Sequence, residues 1–405
     1  MSSNINFNHL LISLVSILVF FGYLLMNLYY IQFIILIITT LALVKRKKIN
    51  IRDNILWIVF FYLIIFSAII SDFPIDTFKF GFMFFCIFLV KLYFEGEENW
   101  QKTFVNYFFV FSLIHVLATL FQFLKPNLMS NVNSIILSGQ NLVSNQELLN
   151  LGSYAGITGQ TGINSLYISI FIAVVFSKLL NKPQGKKIII LILLSVGFLA
   201  LLLTVKRSQV IVNLISMMIV LFVFINNDKK KTAFFVSIPV LISGLGFIII
   251  KTIPRADAVF DKFAFFSEQS DFTNGREYLW NTSLEIFAQN PLFGVGAATI
   301  IKHIQDMSHN IYIQLLAEMG VLGFTVFILG VLISFVITIR ETKKYIKNDK
   351  TQYHTKMHLG FSIYMQTYFL LYGFFGNPLY GIVFLATYMQ SIALGKSYFS
   401  KDSRN

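Results

Sequence analysis

Residues 187–226, KIIILILLSVGFLALLLTVKRSQVIVNLISMMIVLFVFIN, carry only the charges of Lys187, Lys206 and Arg207. They divide into two apolar runs, about 187–205 and about 208–226, each near the ~20 mainly apolar residues that span a hydrocarbon core. Thr204-Val205-Lys206-Arg207-Ser208 joins the runs with almost no loop. The chain therefore crosses, turns tightly at one face and crosses back. Within a bilayer each run must pair its own backbone N–H and C=O groups, which a helix does.

Ten more stretches qualify in the same way: about 9–28, 30–45, 54–71, 77–94, 103–124, 164–181, 232–251, 311–339, 358–375 and 379–395. Composition agrees, with 56% of the 405 residues hydrophobic, 16% aromatic and 13% charged, and a mean hydropathy of +0.71. A soluble domain carries about 25% charged residues, so a soluble enzyme is excluded, and the wealth of aromatics excludes disorder. The expected fold is an all-α polytopic membrane domain of about 12 spans. It divides into a five-helix part (1–124), an outer loop (125–163), central helices (164–251), a long outer loop (252–310) and C-terminal helices (311–405). No small-residue cleavage site follows the first run, which reads as a retained helix. Cys86 is the single cysteine, so no internal disulfide, zinc knuckle or iron–sulfur cluster is expected.

The net charge of +13 could suggest nucleic acid or a membrane surface. Assigning charges to alternating sides of the twelve spans puts 23 of the 32 Lys and Arg on the side that holds both termini. By the positive-inside rule that side is cytoplasmic, and nucleic acid is not needed to explain the charge. Inner connections are short and basic. Two outer ones are long, 125–163 and 252–310, and long loops tend to be functional.

The second long loop holds most of the chemistry. Thr273-Asn274-Gly275-Arg276-Glu277 reads as a helix start, with Asn274 as N-cap and Glu277 reaching back as in a capping box. Leu279, Ser283, Ile286 and Phe287 would share one face, and the helix should end at Asn290-Pro291. Arg276 in the first turn opposes the helix dipole. Either it is a solvated arginine, or its guanidinium and the free N–H groups form an anion site suited to phosphate. Lys206 and Arg207 have two readings as well: snorkelling to lipid head groups, or capture of a phosphorylated ligand, with Arg255 adding to the patch. His309 is either an interfacial structural histidine or a general base for a hydroxyl nucleophile. No Walker lysine loop, H-E-x-x-H, G-x-S-x-G or cysteine nucleophile is present, so neither ATP-driven nor metal-hydrolytic chemistry is indicated.

Taken in order, several outer-face segments resemble the Wzy polysaccharide polymerase and O-antigen ligase family. They are Gly156-Ile157-Thr158-Gly159 through Asn164, Thr204 to Ser208, Gly275-Arg276 through Trp280, and Asn290-Pro291-Leu292-Phe293-Gly294-Val295-Gly296. His309-Asn310-Ile311-Tyr312 and Glu318-Met319-Gly320-Val321-Leu322-Gly323 complete the series. The likeness covers about residues 150–390. The chain departs from the pattern before Asn164, where relatives often have proline.

The resemblance implies a GT-C-like membrane glycosyltransferase acting at the outer face of a bacterial cytoplasmic membrane without metal, nucleotide sugar or other cofactor. Its donor and acceptor would be oligosaccharide repeat units on a polyprenyl diphosphate, such as undecaprenyl diphosphate, joined into a capsule, exopolysaccharide or O-antigen. Arg207 and Arg276 would hold the diphosphate and His309 would accept the proton. Lys206, Asn310, Tyr312 and Asn164 would contribute to substrate binding, joined by Arg255 from the reading of the cationic patch. Membrane lipids, a flippase and a chain-length regulator are the expected partners. A ligase that transfers the glycan to another acceptor is the runner-up. A transporter would place its ionisable residues near the bilayer midplane instead.

Overall fold

The computed structural model describes residues 2–24, 28–44, 52–97, 99–180, 187–225, 276–347 and 353–402. Over these residues the protein is all-helical. The first five α-helices are α1 (Ser2–Phe21), α2 (Leu28–Val44), α3 (Ile55–Ile70), α4 (Pro74–Glu95) and α5 (Gln101–Leu124). Next come α6 (Pro126–Ile136), α7 (Gly139–Asn150), α8 (Thr161–Leu179), α9 (Lys187–Leu203) and α10 (Arg207–Phe224). The last are α11 (Arg276–Gln289), α12 (Ile300–Ile304), α13 (Ile311–Lys347), α14 (Tyr353–Tyr372) and α15 (Ile382–Asp402). Seven helices among the described residues are long and apolar enough to cross a membrane, and Ile31–Val44 and Lys187–Leu203 are shorter apolar ones. The expected span 232–251, Arg255 and the helix start at Asn274 lie outside the described residues.

At the centre is α8, where Asn164 to Ser177 are all buried. A helix apolar on every side needs neighbours on every side, and α8 packs against α5, α9, α10 and α14. A second group, α2, α3, α4 and α13, joins the first through α14 and α15. Aromatic packing closes this second group: the Trp57 ring lies 6.4 Å from Phe84 and 6.3 Å from Phe327. At one end of α4 the fully buried Lys91 pairs with Glu95 at 2.6 Å, and Lys396 approaches the same carboxylate at 3.4 Å. Charges at such depth are expected to be paired, and this pairing ties α15 to α4.

The segment 125–163, expected as a polar loop, instead contains α6 and α7. Two of its asparagines, Asn133 and Asn145, are turned inward. Asn133 donates to the Gly156 carbonyl at 3.0 Å, and Asn145 donates to the Gly156 and Thr158 carbonyls. Gln122 of α5 completes the knot by accepting from the Gly156 N–H at 2.7 Å. Polar residues that read as solvated in the sequence thus hold the turn before α8 against α5.

One long-range contact positions everything on the site side. The 37-residue α13 is interrupted at Gly320, with φ 60° and ψ −169°. Into this break fits the turn Pro291–Gly296. Val321 N–H donates to the Pro291 carbonyl at 2.8 Å, Val295 N–H to the Ala317 carbonyl at 3.1 Å, and Gly296 N–H to the Glu318 carbonyl at 2.8 Å. The approach is close enough to require glycine on both sides. A Cβ on Gly294 (φ 67°) would sit 2.3 Å from the Glu318 backbone, and one on Gly320 would sit 2.3 Å from that of Leu292. Left-handed φ and the lack of room for a side chain point to the same residue type.

Glu318, at 0% exposure, locks the contact from inside. Its carboxylate accepts from the Ala298 N–H at 2.8 Å, the Ile300 N–H at 2.9 Å and Gln314 Nε2 at 3.0 Å, and from the Tyr380 hydroxyl. The turn is also fastened to α3 and α4, through Ser67 Oγ to Ala297 N–H at 3.2 Å and Thr77 Oγ1 to the Ala297 carbonyl at 2.8 Å.

Candidate functional site

The break in α13 and its partner turn place the chain from Ala297 to Asn310 over the end of the bundle. The last residues of that chain are pinned on several sides. Trp280 of α11 donates its indole N–H to the Ser308 carbonyl at 2.8 Å. Ser308 Oγ lies 3.2 Å from Gln314 Oε1 and donates to the Asn310 carbonyl at 3.0 Å. Asn310 caps α13, its Oδ1 accepting from the Tyr312 and Ile313 N–H groups at 3.0 and 3.3 Å. Ile311 N–H donates to the carbonyl of Gly373 at 2.9 Å, joining the start of α13 to the end of α14.

Between these fixed points stands His309, with φ 52°. A non-glycine residue in the left-handed region is uncommon, and histidine is one of the types enriched there. Such a backbone persists only where its surroundings hold it. Here it turns the imidazole into a cavity of about 580 Å³ that Lys206, Arg276 and His309 line together. Lys206 comes from the hinge between α9 and α10, where Val205 also has positive φ, 56°. Arg276 opens α11 and donates from Nη1 to the Phe375 carbonyl at 3.2 Å.

Electrostatics in the cavity favour an anion and a neutral base. Partial burial lowers the His309 pKa from its ordinary value, Arg276 and Lys206 lower it further, and Asp306 opposes them. Asp306 Oδ1 lies 3.8 Å from His309 Nε2. The imidazole is therefore held in its proton-accepting form at neutral pH. Burial lowers the Arg276 pKa as well, against the favourable influence of Tyr372, but a guanidinium stays charged in proteins. Two fixed cations and a neutral imidazole can bind an anionic group and take a proton beside it.

The other sequence-derived candidates stand elsewhere. Arg207 is the first residue of α10 and is not among the residues lining the cavity. Asn164 is fully buried and donates to Thr119 Oγ1 at 2.8 Å, which braces α8 against α5 behind the cavity wall. Asn310 is spent as the α13 cap. Tyr312 donates its hydroxyl to the Leu370 carbonyl and packs its ring 4.6 Å from Phe374, an anchor for the end of α14.

Several lining residues were not singled out in the sequence: Glu147 and Ser144 of α7, Gln209 of α10, and Asn377 and Tyr380 between α14 and α15. Gln209 directly follows Lys206-Arg207-Ser208, and Asn377-Pro378 breaks two apolar runs, so position at a span end was the available signal.

Residues 189–328 match the O-antigen ligase family. No curated protein matches the chain. The matched region runs from α9 past the break in α13, and so includes Lys206, Arg207, Arg276 and His309. The match to the O-antigen ligase family thus falls within an all-helical, multi-pass membrane protein, and it supports an enzyme that transfers a glycan.

Proposed function

We propose that this protein is a membrane glycosyltransferase that joins polyprenyl-diphosphate-linked oligosaccharide units into a surface polysaccharide at the outer face of the cytoplasmic membrane. The carrying observation is that Lys206, Arg276 and His309, distant in sequence, line one cavity. A diphosphate leaving group is already activated, so catalysis reduces to positioning, charge neutralisation and a base. In the proposed step an acceptor hydroxyl oxygen attacks the anomeric carbon of the donor. The bond from that carbon to the diphosphate oxygen breaks, and the electron pair leaves with the polyprenyl diphosphate. Lys206 and Arg276 neutralise the departing oxygens, and His309 takes the hydroxyl proton. A single displacement of this kind inverts the anomeric centre.

Arg207, carried over from the family resemblance, would add a further cation for the lipid diphosphate, and Arg255, read from the sequence as part of the same patch, lies outside the described residues. The family's description as a ligase favours a second reading, in which the acceptor is a different glycolipid, wall polymer or protein. Purified protein incubated with lipid-linked repeat units alone separates the two. A ladder of products is expected for a polymerase. Product only after addition of a second acceptor means a ligase, and release of no polyprenyl diphosphate under either condition overturns glycan transfer.

A further inference from the structure

Lys206, Arg276 and His309 account for an anion and a proton, yet the same cavity carries polar groups that neither explains. Gln209 is 1% exposed, and its Oε1 accepts from the Tyr368 hydroxyl. Its Nε2 makes no hydrogen bond of normal geometry among the described residues and has at most a long approach to the Tyr372 hydroxyl. Asn377 lines the cavity with both its Nδ2 and its Oδ1 shielded from solvent and unpartnered among the described residues. A buried donor or acceptor left unpaired is costly, and native proteins seldom tolerate several in one place without a reason.

The chemistry of these groups indicates what they would take. A diphosphate offers only acceptor oxygens, so it could use the Gln209 and Asn377 N–H groups but never the Asn377 carbonyl. Glu147, exposed on α7 and lining the same space, is also only an acceptor when ionised, and it would repel a phosphate. These two acceptors need a ligand that brings O–H or N–H groups. Tyr372, Phe375 and Phe384 add apolar and aromatic surface to the lining, which suits the C–H face of a pyranose ring.

We infer that Gln209, Asn377 and Glu147 form a carbohydrate subsite beside the cations, in which they recognise hydroxyl or acetamido groups of the sugar next to the diphosphate. A small turn of either amide on ligand entry presents it to the cavity. The assignment rests on the glycan-transfer reading above and adds the residues that select the sugar.

Two probes test it on the purified full chain: undecaprenyl diphosphate, and the same lipid carrying an oligosaccharide. The wild type should bind the sugar-bearing lipid more tightly. Asn377→Ala and Glu147→Gln should each weaken that binding about 10-fold, the size of one or two lost hydrogen bonds. Binding of the sugar-free lipid should not weaken. Equal loss with both probes, or no loss with either, overturns the subsite. Should Asn377→Ala fail to fold, Glu147→Gln, on an exposed helix face, decides alone. A wild type that binds both probes equally and forms no product overturns glycan transfer together with the subsite. A wild type that prefers the sugar-bearing lipid and turns it over, with variants that keep that preference in full, overturns the subsite only.

Discussion

Two regions of this molecule have similar local sequences and opposite physical character. The contact between Pro291–Gly296 and the break in α13 has its polar groups spent: backbone pairs backbone, and the Glu318 carboxylate takes three N–H donors and a hydroxyl. The cavity a few residues away keeps polar groups in hand: beside Lys206, Arg276 and His309, amide atoms of Gln209 and Asn377 lack partners among the described residues. Glycines and a charged residue occur in both. Saturation marks the part that holds the geometry, and deficit marks the part that meets a ligand.

If that division is right, damage to the two regions should separate cleanly. His309→Ala should reduce turnover by about 10²- to 10⁴-fold, the contribution expected of a general base, while the thermal unfolding midpoint in detergent stays as in the wild type. A midpoint that fell in step with activity would place His309 among the holding residues. Gly294→Val should do the reverse. Its side chain meets the Glu318 backbone and adds an unfavourable φ, a destabilisation of about 3 kcal/mol or more. Size-exclusion profiles should then show little monodisperse protein, and a well-folded variant would break the comparison from the other side.

The smallest effect sharpens the cavity's electrostatics. Because burial, Arg276 and Lys206 hold His309 below its ordinary pKa, the base should be lost only as pH falls through that lowered value. The acid limb of kcat/KM should therefore lie below about 6.5, the unperturbed value. Asp306 stabilises the imidazolium, so Asp306→Asn should move the limb to still lower pH. A limb that stayed in place or rose would remove Asp306 from the cavity's balance.

Much of the fold was legible because membrane insertion writes itself into local composition. The runs around 187–205 and 208–226 appear as α9 and α10 with the hinge where the charges fall. The helix expected to end at Asn290-Pro291 stops at Gln289, and its covered positions include Leu279, Ser283, Ile286 and Phe287. What local composition does not record is which distant segments meet. Asn290–Gly296 and Glu318–Gly323 stood out as separate motifs, but nothing in either names the other as its partner. The helices α6 and α7 were hidden for a related reason, since Asn133 and Asn145 look like loop residues until Gly156 is brought to them. Gln209 and Asn377 are ordinary span-end polar residues in sequence, and only buried amide atoms without partners among the described residues set them apart.

The break at Gly320 has a mechanical consequence. Beyond it the apolar part of α13 runs from Val321 to Ile339, roughly 28 Å at the rise of an α-helix, close to the about 30 Å of a bilayer's hydrocarbon core. That segment is long enough to cross by itself, so the residues before Gly320 are released from spanning and stay fastened to the turn that leads to His309. One helix thereby divides its length between anchoring and shaping the cavity.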